Sequence, residues 1–574
     1  MASPDLVLLH PPSVYDFRRK AILFGPISDL VPSSPVFDMY PVGFTSMAEY
    51  LERAGYRVRI VNLAARMLMD NNFSVEKTLQ KLPAPVFGID LHWLPHAHGA
   101  IEIARLVKRY HPQSKIVMGG LSASYYHREL LQYPEVDFVI RGDSTEKPLL
   151  QLMDSIKGNN DFASVPNLTW RDEQGKIQET PFSYVPDDLS DVMVDYYDNA
   201  VRSIFRYRDF HRNFIPFKRW LSYPITAVIT CRGCTHNCVI CGGSSFAYRQ
   251  VCNRDKPVYR SPEAVIRDVK RVSRYTRGPI FILGDIRQPG DDYAEELLHL
   301  LKNETNKNQL ILELFTPASR EFLKQMGEAC PNFCLEISPE SHDPEVRQAS
   351  GKHYSSESLE NTLTYALDAG CGRLDLFFMI GVPKQTTESV LSTIDYCDPL
   401  LRDLGRNNRL SCFISPLAPF LDPGSLGFEQ PERHGYHSLW RTLEEHRQAL
   451  LAPSWKYTLS YETEWMTRDQ IVAVSYEAGR RLNRLKTKYG LISKDTGEAT
   501  ERRIETALEM MRAIDDIVAR GDGTDLADEL APLKSIIDDI SMSTVCEKRE
   551  LDLPVSFLKL KPLSAIRSWI SGPR

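Results

Sequence analysis

The chain has 574 residues, 43% hydrophobic and 25% charged, and its 69 Lys and Arg against 75 Asp and Glu leave a net charge of −6. That balance excludes a disordered chain and leaves length for several cores. A mildly acidic total argues against a protein whose main work is gripping a phosphate backbone, and no nucleic-acid partner is expected. The longest apolar stretches, such as Leu374–Gly381, fall short of the roughly 20 residues that a membrane span takes. The opening Met-Ala-Ser-Pro-Asp lacks the basic flank of a secretory signal, so a cytoplasmic protein is expected.

Residues 1–157 alternate short apolar runs with helical patterns. The runs are Leu6–Leu9, Val58–Val61, Val86–Ile89, Ile116–Met118 and Phe138–Ile140, and helices are expected over Phe44–Ala54, Ile101–Tyr110 and Glu146–Ile156. Such alternation predicts an α/β domain built on a doubly wound parallel sheet, whose ligands sit beyond the carboxyl ends of the strands. Residues 158–222 carry Pro and Gly punctuation and read as a connector. Within it, Arg202–Trp220 interleaves basic and aromatic residues, which suits nucleic acid or an anionic headgroup, or else a partly packed linker helix with snorkelling arginines. From 223 to 440 the alternation returns with a longer period, at Ile225–Ile229, Ile280–Leu283, Leu310–Leu314, Phe333–Ile337, Leu374–Ile380 and Leu410–Ile414. Six β/α units in series predict a partial barrel. Ser261-Pro262-Glu263 marks one helix start, with an N-cap, a first-turn proline and an acid at the positive end. Residues 441–574 read as a helical C-terminal region, with helices over Glu477–Tyr489, Thr500–Arg520 and Leu526–Ile540.

Four of the eleven cysteines, Cys231, Cys234, Cys238 and Cys241, crowd into one loop after the first barrel strand. Clustered cysteine without a signal peptide points to metal in a reducing compartment. Two Cys-x2-Cys pairs could close a zinc site, but only three residues separate them, where a zinc ribbon uses roughly 15–20. Cys234-x3-Cys238-x2-Cys241 instead forms a three-thiolate set, which holds three irons of a four-iron cluster and leaves the fourth open to a ligand.

That spacing on that loop resembles the radical SAM superfamily, and the likeness continues along the barrel. Leu283-Gly284-Asp285 sits where the family binds the amino group of S-adenosylmethionine, with Gly-Asp in place of the usual Gly-Gly-Glu. The segment Glu336-Ile337-Ser338-Pro339-Glu340-Ser341 resembles the one that reaches methionine or ribose, and Met379-Ile380-Gly381-Val382-Pro383 resembles the glycine motif under the adenine. Pro419–Ser425 is similar to the turn after the sixth strand. The resemblance implies cofactor contacts at Gly284, Asp285, Ser338, Glu340 and Gly381 and metal ligation by Cys234, Cys238 and Cys241. The N-terminal sheet resembles the cobalamin-binding domain of one radical SAM subclass. Gly119-Gly120-Leu121-Ser122 matches its fourth-strand motif, which places Gly119, Gly120 and Ser122 beside the cofactor's nucleotide tail, and Arg141-Gly142-Asp143 with Glu146 resembles the domain's end. Asp90-Leu91-His92 looks like the start of the Asp-x-His-x-x-Gly motif whose histidine ligates cobalt, but it follows the third strand and Pro95 replaces the glycine. That histidine ligand is therefore not expected, although His92, His96 and His98 are placed near the corrin.

The resemblance implies a [4Fe-4S] cluster, S-adenosylmethionine and cobalamin, a 5′-deoxyadenosyl radical, and methylation or carbon–carbon bond formation at an unactivated carbon of a small molecule or lipid. A reductant such as flavodoxin or ferredoxin is implied as partner. Ring formation or rearrangement without methyl transfer stays open, as do a tRNA-modifying radical SAM enzyme, a non-catalytic iron–sulfur redox protein and a cobalamin-binding sensor. The segments Phe557–Lys561 and Ala565–Ile570 mix apolar and basic residues in a way that suits either peripheral membrane contact or a packed terminus.

Overall fold

The computed structural model describes residues 3–26, 36–194, 196–304, 307–405, 408–416, 419–520, 526–541 and 543–553. The mixed segments at 557–561 and 565–570 lie outside these.

The N-terminal sheet contains β1 (Leu6–His10), β2 (Val58–Asn62), β3 (Val86–Asp90), β4 (Lys115–Gly119) and β5 (Phe138–Ile140), all parallel. All five residues of β1 and of β3 are buried, as strands covered by helices on both faces must be. The spatial order β2-β1-β3-β4-β5 reverses direction between β1 and β3, and this opens a crevice at the carboxyl edge. The stretch read as a connector does more than connect. Its strands β6 (Leu168–Arg171) and β7 (Ile177–Glu179) extend the same sheet antiparallel beyond β5. Its helix Tyr196–Tyr207 turns Arg202 onto Glu49 and Glu52 and Arg206 onto Glu52, so two of the basic residues are taken by intramolecular pairs.

The second sheet begins with β8 (Thr226–Ile229). A short antiparallel pair, β9 (Cys231–Arg232) and β10 (Val258–Tyr259), follows it and frames the cysteine loop. The helix Pro262–Tyr275 starts as the sequence predicts, with the Ser261 side chain accepting from Ala264 N. The remaining strands are β11 (Ile280–Leu283), β12 (Leu310–Leu314), β13 (Cys334–Glu340), β14 (Arg373–Met379) and β15 (Leu410–Ser415). All six strands pair in parallel and in chain order, from β8 at one edge to β15 at the other, which makes an open six-stranded barrel.

The C-terminal region is helical, with Arg468–Lys488 packed on β15 and Lys494–Arg520 packed on that helix. The helix expected over 526–540 breaks into Leu526–Leu530, a 3-10 turn and Lys534–Ile540, because Pro532 supplies no backbone N–H. The chain then returns to the base of the barrel. There Arg373 donates to the carbonyl of Asp552 at 2.9 Å and to that of Glu550, and Leu553 packs on Ile311 and Cys334. This closes the end opposite the cysteine loop.

Candidate functional site

The carboxyl edge of the N-terminal sheet and the open mouth of the barrel face each other across one cavity of 640 Å³. Its sheet side is lined by Asp90, His92, Gly119 and Gly120, and its barrel side by Cys234, Cys238 and Cys241 with Gly284, Ser338 and Glu340. Residues from the two halves of the sequence are thus brought onto one surface.

The cysteine loop is held in shape from three directions. Ser350 accepts from Val239 N at 3.1 Å, Gln288 accepts from Thr235 N at 2.9 Å, and Asp422 accepts from Gly242 N at 2.9 Å. Asp422 also accepts from Trp93 Nε1 at 3.1 Å, so one carboxylate ties the loop to the N-terminal domain. Gly351, with φ at +93°, lies so near the loop that a Cβ there would stand 2.7 Å from the Asn237 carbonyl. Backbone N–H groups aim at two of the sulfurs, His236 N at Cys234 Sγ (3.4 Å) and Gly243 N at Cys241 Sγ (3.3 Å). Burial pushes the thiols of Cys234, Cys238 and Cys241 up, and the nearby Lys352 ammonium acts the other way on Cys234 and Cys238. Buried thiols become thiolates when a cation shares the site, so this donor set fits a metal cluster. Cys231 sits on β9 with its sulfur near the Gly233 carbonyl, and burial raises its thiol to about 11.

The other expected residues divide. Gly284, with φ at +94°, donates its N–H to Glu313 at 2.6 Å and lines the cavity. Asp285 does not line it. Its carboxylate is filled by Arg287 Nε (2.9 Å), Arg287 Nη2 (2.6 Å) and Phe315 N (2.9 Å), and Glu313 stands at the wall instead. Ser338 and Glu340 face the cavity, and Lys352 Nζ lies 3.6 Å from Glu340. Gly381 is set back from the wall, where it donates to Gln385 Oε1 and accepts from the Tyr436 hydroxyl. Ser122 is likewise set back and buried.

One grouping escaped the sequence reading, and a second was read only in part, as Asp90, His92 and His96 without His10. Glu313, Glu336 and Asp375 are in register on β12, β13 and β14, which puts three carboxylates side by side. Only Asp375 has a cation bonded to it in this row, Arg373 Nε at 2.8 Å. Burial first, and then Asp375 and Glu313, push Glu336 up to about 8. The second grouping surrounds Asp90, whose carboxylate meets His10 Nδ1 at 2.9 Å and His92 Nδ1 at 2.7 Å, with His96 beside them. The Asp90 carboxyl is held below the usual range by these imidazoles, against its burial. His98 is apart from the cavity wall and accepts from Tyr15 N, and burial lowers it to about 4.

At the glycine motif the structure changes the physical reason. Gly120 has φ at +118°, and a Cβ there would lie 2.3 Å from the Cα of His92. The glycine is demanded by the neighbouring 91–92 backbone, while Gly119 has open space, with the Ile140 carbonyl 3.7 Å away. The sheet edge still presents both glycines to the cavity, which fits a large flat cofactor approached by backbone.

Two family models match the chain one after the other. The family model described as B12 binding domain matches residues 30–148, and that of the Radical SAM superfamily matches 228–397. The chain is 24% identical to cytidylyl-2-hydroxyethylphosphonate methyltransferase of Streptomyces wedmorensis, over 66% of this chain and 77% of that protein. It is 23% identical to hopanoid C-3 methylase of Methylococcus capsulatus, over 50% of each. Its fold is similar to that of the radical S-adenosylmethionine methyltransferase TsrM of Kitasatospora setae, solved with cobalamin and a [4Fe-4S] cluster, with a TM-score of 0.57, 16% identity and coverage of 86% and 92% of the two chains. It is also similar to OxsB, solved with aqua-cobalamin and S-adenosylmethionine, with a TM-score of 0.56, 12% identity and coverage of 96% and 77%.

Proposed function

This chain belongs to the radical SAM superfamily, in the subclass with a B12-binding domain ahead of the barrel, and we propose that it is a cobalamin-dependent methyltransferase acting on an unactivated carbon of a small molecule or lipid. The observation that carries this reading is the single cavity with the three-thiol loop on one wall and the glycine edge of the N-terminal sheet on the other.

Cys234, Cys238 and Cys241 hold the cluster, and Gly284, Ser338 and Glu340 receive S-adenosylmethionine with Glu313 in the place expected of Asp285. Gly119 and Gly120 receive cobalamin. When bound, these groups supply a 5′-deoxyadenosyl radical and a transferable methyl group. The chain's own work is placement. Asp422 and Arg232 fix the cysteine loop against the N-terminal domain, so that the two walls keep one spacing. Lys352 sets a cation beside Glu340 and the thiols. Electrons come from a flavodoxin- or ferredoxin-type donor in the cytoplasm, and a membrane-borne lipid substrate is compatible with peripheral contact. No helix among the described residues is long and apolar enough to cross a membrane.

The test is product stoichiometry. Intact, reconstituted protein is supplied anaerobically with the metabolite pool of a deletion strain, and S-adenosylhomocysteine is quantified beside 5′-deoxyadenosine. Equal amounts support methyl transfer. 5′-Deoxyadenosine without S-adenosylhomocysteine overturns it and favours ring formation or rearrangement.

A further inference from the structure

Beneath the sheet wall of the cavity, Asp90, His92 and His96 each offer a ligand atom, and these atoms all lie within 4.8 Å of one another. Asp90 and His96 are 3% and 1% exposed, and of the three Asp90 and His92 reach the cavity wall while His96 lies behind them. The hydrogen bonds fix the tautomers. The Phe37 carbonyl can only accept, so His96 Nε2, at 3.1 Å from it, carries a proton. His96 Nδ1 is then a bare lone pair, buried and without a hydrogen-bond partner. An orphaned buried acceptor is costly unless something fills it.

The surroundings are built as an outer shell. Ligating imidazoles usually donate their second N–H to a carbonyl or carboxylate, and ligating carboxylates are themselves hydrogen-bonded. His96 donates to Phe37 O, and His10 bridges that same carbonyl (3.0 Å) and Asp90 Oδ1 (2.9 Å). Phe37 presents the shared carbonyl from a left-handed backbone, φ +51°. The other carboxylate oxygen, Asp90 Oδ2, lies 2.7 Å from His92 Nδ1 and 3.1 Å from His10 Nδ1, so His92 is hydrogen-bonded to the carboxylate, and the two atoms would part by roughly half an ångström to share one ion.

We propose that Asp90, His92 and His96 form a mononuclear site for a divalent transition-metal ion, zinc or a first-row neighbour, under the cobalamin-facing edge of the N-terminal sheet. The ion replaces the proton shared by Asp90 Oδ2 and His92 Nδ1 and releases it to solvent, and it takes the lone pair of His96 Nδ1 as its third ligand. Two nitrogens and one carboxylate oxygen suit such an ion, and the fourth position falls to water. His10 is a positioning residue that holds the carboxylate.

The test uses full-length protein with its cysteine-loop cluster loaded, so that the thiols are occupied, with and without hydroxocobalamin. Each sample is equilibrated with Zn²⁺ and gel-filtered, and zinc is counted by mass spectrometry separately from iron and cobalt. The expected result is about one zinc per chain in both arms, lost in D90N and H96Q. H10Q should bind zinc about 10- to 100-fold more weakly, as a change behind a ligand does. Should H96Q fail to fold, H92Q, at the half-exposed ligand, must lose the zinc instead. Zinc counts equal in wild type and variants would overturn the site. So would zinc that hydroxocobalamin expels, since His92 would then serve the cobalt.

Discussion

Arg232, inside the cysteine loop, donates through Nη1 to Glu146 Oε2 at 3.1 Å, and Glu146 opens the helix that ends the B12-binding domain. Both side chains are buried, and the Ser46 hydroxyl donates to the other Glu146 oxygen at 2.6 Å. Arg254, just past the helix that follows the loop, repeats the arrangement with Asp143, so the end of one domain is ion-paired to the cysteine loop and its flank in the next. Removing one partner of such a pair strands the other charge in a poorly solvated place. R232M is therefore expected to lose about 3–5 kcal/mol, while the apolar double change R232M/E146L recovers most of the loss. Denaturant unfolding of the two variants and the parent checks this. Equal losses in both would mean that the pair's charges are not what matters there.

The cysteines are not equivalent. C234A, C238A and C241A should each abolish S-adenosylmethionine cleavage and lower iron content, whereas C231A should keep at least part of both. Iron analysis and 5′-deoxyadenosine yield in the four single variants decide it. Loss of all iron in C231A alone would reverse the assignment.

Adjacent glycines give a sharper contrast. G120A puts a Cβ on the 91–92 backbone at a positive φ, so a cost of at least about 1–3 kcal/mol is expected, with loss of cobalamin retention and an intact cluster. G119A should be tolerated within about 1 kcal/mol, since its Cβ meets nothing closer than 3.7 Å. Thermal unfolding and cobalamin content after desalting measure both, and equal sensitivity at the two positions would contradict the structure.

Glu336 makes stability depend on pH. Its carboxyl is raised from the usual 4.5 to about 8, so the folded protein holds this proton more tightly than the unfolded chain does. The stabilisation is complete below about 4.5 and is lost as pH rises through about 8. The stability of wild type relative to E336Q should fall steadily across that window. A flat difference would show that Glu336 is already ionised in the folded protein.

What the sequence made legible was local. The Cys234-Cys238-Cys241 spacing, the Ser261 cap and the buried strand runs are each set by a few neighbouring residues, and the structure places them where they were read. Pairing register is not local, so the alignment of Glu313 with Glu336 and Asp375 had no signal in any one strand. Asp285 was misplaced for a related reason. Its side chain competes for Arg287, two residues on, and the guanidinium fork takes both oxygens away from the cavity. The strands β6 and β7 were hidden by the Pro and Gly that shape their turns. His10 and Asp90 are 80 positions apart, and only the β1–β3 adjacency brings them together.

The proposed function requires one cavity to serve both a three-thiolate cluster and cobalamin. The direct measurement is to load the intact protein anaerobically with iron, sulfide and hydroxocobalamin, desalt it, and record the reduced cluster's electron paramagnetic resonance with and without S-adenosylmethionine. The prediction is about four irons per chain and retained cobalamin, with a cluster signal that shifts when S-adenosylmethionine is added. A cluster indifferent to S-adenosylmethionine, or protein that keeps no cobalamin, would contradict it.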